Sequence, residues 1–89
     1  MKNLYLLLFC DISRECDELR EAWERMPSQA HLMMAHTNID ESPGQQLRFG
    51  IMSVPQVYLM VDGLFYEFPI DRMDPKSQKD VTLFTSKYE

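Results

Sequence analysis

The stretch from Asn3 to Cys10, NLYLLLFC, is almost continuous in large apolar residues and carries no charge, proline or glycine. A half-exposed strand alternates apolar with polar positions, whereas a strand covered on both faces of a parallel or mixed sheet does not. The run is far shorter than the roughly 20 residues that cross a bilayer. It therefore predicts a central strand buried on both faces, and the rest of the chain must supply helices for both sides of that sheet. With 45% hydrophobic and 11% aromatic content in 89 residues, enough apolar surface is present to do so. The expectation is one domain spanning 1–89, which at this size buries only about 60–65% of its unfolded surface.

The following segments fit that demand. Ser13 is placed to cap a helix in which Cys16, Leu19, Trp23 and Met26 recur at helical spacing, with Pro27 ending it. His31 to Ile39 reads as a second strand. Asp40-Glu41-Ser42-Pro43-Gly44 reads as a turn into a short helix, Gln45 to Phe49, closed by Gly50. Gln56 to Val61 and Leu64 to Ile70 flank Asp62-Gly63, a pair suited to a two-residue turn with positive φ, and so to a hairpin. Asp74, with Pro75 behind it, marks the expected start of a last helix anchored by Val81, Leu83 and Phe84. The order is βαβαββα: a first unit with a parallel crossover, then a hairpin that extends the same mixed sheet antiparallel, with helices on both faces.

Nine basic residues stand against fourteen acidic ones, a net charge of −5 with no basic stripe, which disfavours nucleic acid as a ligand. The chain starts without a basic region and cleavage site, so an unexported, cytoplasmic protein with no membrane contact is expected. Two cysteines, Cys10 and Cys16, are too few for a secreted disulfide framework and lack zinc-site grouping. His31 and His36, five apart on one strand, would face opposite sides and share no metal. The seven methionines, Met33 and Met34 among them, are read as core filling, with an adaptable binding surface as the alternative. Asp40 and Glu41 are read as turn caps.

The middle of the chain sharpens the picture: Asn38-Ile39-Asp40-Glu41-Ser42-Pro43-Gly44, then Phe49-Gly50-Ile51, Val54-Pro55 and Asp62-Gly63. In these residues the chain resembles the thioredoxin family, in the shorter layout of glutaredoxins. The resemblance implies a minimal thioredoxin-like fold and a cis peptide at Val54-Pro55. It also implies that the Val54 backbone presents its N–H and C=O to an extended peptide. The family places Cys-x-x-Cys where the first strand enters the first helix, because backbone N–H groups and the helix dipole stabilise a thiolate there. This chain has Ser13-Arg14-Glu15-Cys16. A serine hydroxyl is neither a thiolate nor half of a disulfide, so the two-step exchange loses its attacking group.

Other departures implied by the resemblance agree. Leu7 stands for a buried acid, His36 for a lysine, Ile12 for a tryptophan, and the glycine that opens the family's third substrate loop is missing, with Asp71 near its position. Core packing and a functional thiol both stay open for Cys16, which belongs to the helix's apolar stripe. Cys10 is read first as a buried strand residue, and a Cys10–Cys16 disulfide stays open. Two functions follow. One is a binding or adaptor module that holds a protein or peptide partner at the cis-proline face through Ile12, Arg14, Glu15, Val54 and Pro55. The other is an atypical thiol–disulfide oxidoreductase acting through Cys16, with Ser13 as the altered position and Cys10 as a possible partner thiol. No cofactor is expected: glutathione and an iron–sulfur cluster lose support because Phe68-Pro69-Ile70-Asp71 replaces the glutaredoxin Gly-Gly turn.

Overall fold

A computed structural model describes residues 3–41, 43–51 and 53–89; Ser42, part of the expected turn, lies outside them. Its elements run β1 (Leu4–Cys10), α1 (Arg14–Arg25), β2 (Leu32–Asn38), α2 (Pro43–Phe49), β3 (Gln56–Val61), β4 (Leu64–Glu67) and α3 (Gln78–Ser86). The strands form one sheet in the order β2-β1-β3-β4. β1 pairs parallel with β2 and antiparallel with β3, which pairs antiparallel with β4. The β3–β4 connection places Asp62 at φ 54° and Gly63 at φ 77°, the two positive angles that an Asp-Gly turn supplies cheaply.

Alternation along β1 assigns the two faces. Leu4, Leu6, Leu8 and Cys10 enter a large cluster with Cys16, Leu19 and Trp23 of α1 and Val81 and Phe84 of α3. Phe9, with Leu7 packed beside it, enters a smaller cluster with Phe49 of α2 and Ile51. Helices thus cover both faces, but unequally. Tyr5 stands nearly half exposed and Leu7 is only partly buried, so β1 is central without being buried along its whole length on both sides.

β1 starts at Leu4 and β2 ends at Asn38, each one residue short of the sequence reading, and four further boundaries differ for local reasons. β2 starts at Leu32, because His31 takes a left-handed φ of 64°; since His31 is outside the strand, strand alternation does not place it relative to His36. α2 starts at Pro43 rather than Gln45, with proline at the first helical position, where no N–H is needed. β4 stops at Glu67, because Pro69 has no ladder donor, although Phe68 N–H still reaches the Val57 carbonyl at 2.8 Å. The last helix starts at Gln78, not near Asp74. The Asp74 carboxylate accepts from Lys76 N–H at 2.9 Å and forms a turn, and Ser77 Oγ caps α3 by accepting from Asp80 N–H at 3.3 Å. Within α3, Val81, Phe84 and Thr85 face the core, while Leu83 is 56% exposed and anchors nothing.

Candidate functional site at the start of the first helix

The junction of β1 and α1 is fixed by a chain of short local bonds. The Asp11 carboxylate accepts from Ser13 N–H at 2.9 Å, and its interaction with the Ser13 hydroxyl, followed by this N–H bond, holds its pKa below the usual carboxylate value. Ser13 Oγ accepts from Cys16 N–H at 3.3 Å and is the helix N-cap. Arg20 reaches back from the next turn to donate to the Asp11 carbonyl at 3.1 Å. The hydroxyl at position 13 is thereby engaged in capping, a role worth about 1 kcal/mol.

The two thiols lie beneath this junction. Cys10 and Cys16 are both fully buried and both free. Cys16 Sγ accepts from Asp11 N–H at 3.2 Å, and Cys10 Sγ donates to the Cys16 carbonyl at 3.9 Å. Burial, reinforced by its hydrogen bond with Cys16, pushes the Cys10 pKa up from 9.0 to about 12. At neutral pH Cys10 is therefore a protonated core side chain.

The outer surface of the site is different in character. The Val54–Pro55 peptide bond is cis. Pro55 lines a cleft of about 490 Å³ with Glu15, Glu18 and Leu19 of α1 on one wall and the segment 70–76 on the other. Ile12, just before the helix cap, is 84% exposed, and Arg14 and Glu15 are exposed beside it. Val54 is half-buried against the smaller cluster. Glu15 and Pro55 therefore meet around one depression, which Ile12, Arg14, Val54 and the two buried thiols do not line. Leu7 packs with Phe9, Phe49 and Ile51, on the sheet face away from Cys16 and α1. His36, on β2, has its Nε2 4.0 Å from the Glu24 carboxylate. Asp71 sits on the far wall of the cleft.

Sequence reasoning passed over most of that far wall. Ile70, Arg72, Met73 and Lys76 line it, and it is pinned to α1 by a bond from Trp23 Nε1 to the Pro75 carbonyl at 2.8 Å. The signal available was the single tryptophan on the helix's apolar stripe, whose indole N–H needs a partner when buried. Among the described residues no group of three or more histidine, cysteine or carboxylate side chains could hold a metal. Nor is any described helix long and apolar enough to cross a membrane.

No family model and no curated protein matches the chain. Solved structures do. The chain is similar to the J-Trx1 fragment of ERdj5, with 16% identity, 97% of this chain, 41% of that one and a TM-score of 0.76. It is similar to a point mutant of thioredoxin from Halobacterium salinarum, with 25% identity, 98% of this chain, 76% of that one and a TM-score of 0.75. It is also similar to oxidised thioredoxin from Plasmodium falciparum, with 13% identity, 97% and 81% coverage and a TM-score of 0.73. The chain has the thioredoxin fold. By that fold it is a thioredoxin-like protein, spanning about two fifths of the length of the ERdj5 fragment it matches.

Proposed function

We propose that this chain is a protein-binding or adaptor module in which the thioredoxin fold presents the Ile12 and Pro55 surface to a partner and turns over disulfides weakly or not at all. The observation that carries this reading is the state of positions 13 and 16. The first is a hydroxyl engaged in capping, and the second is a thiol without solvent exposure. Disulfide exchange needs a thiolate that can reach a sulfur atom on the substrate. Peptide binding needs only an open groove and an apolar anchor: Pro55 and α1 line the groove, and exposed Ile12, just ahead of the α1 cap, is the proposed anchor. Two unpaired thiols support a reducing compartment such as the cytoplasm.

A second reading is favoured by one contact. Cys16 Sγ accepts from the Asp11 N–H where β1 enters α1, the place at which the resembled family keeps a cysteine, so slow exchange through Cys16, alone or with Cys10, is the competing function. Reduction of a protein disulfide separates the two readings. The adaptor reading expects background rates from the native chain, unchanged in Cys10→Ser and Cys16→Ser, and a gain of turnover in Ser13→Cys. It also expects partners captured by the native chain to be lost by Ile12→Lys. Native turnover abolished by either cysteine substitution, or identical partners retained by Ile12→Lys, overturns it.

A further inference from the structure

The two edges of the sheet are unlike. β4 is four residues long, carries Glu67 and runs into Pro69, features that discourage another strand from joining. β2, at the other edge, is seven residues long, LMMAHTN, with no proline, lysine or carboxylate. Its hydrogen-bond polarity is set by its neighbour: Leu4 N–H donates to the His31 carbonyl at 2.8 Å, and Ile39 N–H to the Cys10 carbonyl at 2.9 Å. Backbone groups of alternate residues point to opposite edges of a strand. Met33, Ala35 and Thr37 therefore turn theirs toward β1, and Met34 and His36 turn theirs outward.

The side chains along that edge divide between two environments. On the α2 face, Met33 ends an apolar row that crosses the whole sheet in register through Tyr5, Met60 and Phe65. The row is left open: Met33 is 63% exposed, Tyr5 47% and Phe65 44%. On the α1 face, His36 stands beside Glu24, in a helix with five carboxylates against three guanidinium groups. A strand laid against β2 would direct alternate side chains to these two environments.

We propose that β2 accepts an extended peptide of alternating apolar and basic residues as a fifth strand, at a site separate from the Pro55 cleft. The apolar side chains extend the Met33–Tyr5 row, and the basic ones meet Glu24 and the acidic surplus of α1. Main-chain bonds to Met34 and His36 supply register. Charge decides against a second copy of this chain at the same edge, since pairing β2 with β2 would bring two acidic helices together on a molecule of net charge −5.

The test uses a fluorescently labelled ten-residue peptide of alternating valine and lysine, with the same peptide carrying glutamate for lysine as its control. Anisotropy should show saturable binding of the lysine peptide that weakens with salt, and none of the glutamate peptide. Hydrogen exchange should show new protection at the Met34 and His36 amides. His36→Pro removes an outward N–H without touching the β1 ladder, and Glu24→Lys reverses an exposed charge; each should weaken binding tenfold or more. Should His36→Pro lose its fold by circular dichroism, Glu24→Lys decides. Four results would overturn the proposal: no binding of the lysine peptide, equal affinity in Glu24→Lys, protection at the 53–54 or 70–72 amides instead, or a stable dimer whose Met34 and His36 amides are already protected.

Discussion

The face of the sheet under α1 and α3 and the face under α2 are built to different depths. The first takes Leu4, Leu6, Leu8 and Cys10 from β1 and seals them with Trp23, Phe68, Val81 and Phe84, all buried. The second rests on Phe9, Phe49 and Ile51, with Phe49, Tyr58 and Phe65 in mutual tilted and edge-on ring contact, and one seven-residue helix covers only part of it. Stability and the candidate site belong to the closed face, where α1 also holds the capped turn over both thiols. The open face has apolar surface to spare. A domain of this size concentrates its hydrophobic contacts, and what it leaves exposed is available for partners.

The largest expected effect contrasts the two faces directly. Leu8→Ala, with the side chain fully buried under α1 and α3, should lower unfolding free energy by about 2–5 kcal/mol. Met33→Ala, on the open row, should stay within about 0.5 kcal/mol. Urea unfolding of both variants measures the contrast, and similar losses would erase the distinction between the faces.

Alkaline titration sharpens it next. The Cys10 pKa is raised by burial from 9.0 to about 12, so between those values the unfolded chain gives up a proton that the folded chain keeps. Stability should therefore be fully present below pH 9 and fall as pH rises toward 12, with a slope from this group of at most about 1.4 kcal/mol per pH unit. Cys10→Ala should remove that component of the decline, measured as denaturant midpoint against pH.

The smallest effect concerns the junction itself. Ser13→Ala deletes the cap on Cys16 N–H and should cost about 1 kcal/mol in thermal or urea unfolding. Ser13→Gly should cost only a few tenths of that.

The order of elements was legible from the sequence because its strongest signals are local. The apolar run of β1, the helical spacing of Cys16, Leu19 and Trp23, and Asp62-Gly63 each act over a few residues, and the likeness to solved thioredoxin domains agrees with the architecture they imply. The segment between β4 and α3 was not legible. Asp74-Pro75 has the composition of a helix start, yet Asp74 bonds to Lys76 N–H and Pro75 gives its carbonyl to Trp23, a residue 52 positions away. A distant partner of that kind leaves no local trace. The same holds at the site: spacing put Ser13 and Cys16 one helical turn apart, but the burial of both thiols depends on how α1 sits against the sheet.

Native-state alkylation of the two thiols tests the account most directly, read by mass spectrometry after exposure of the folded chain to iodoacetamide at pH 8. Cys10 and Cys16 should stay unmodified until denaturant unfolds the chain, and then both should react. Rapid labelling of Cys16 in the folded chain would contradict the closed face and favour thiol exchange over the adaptor function.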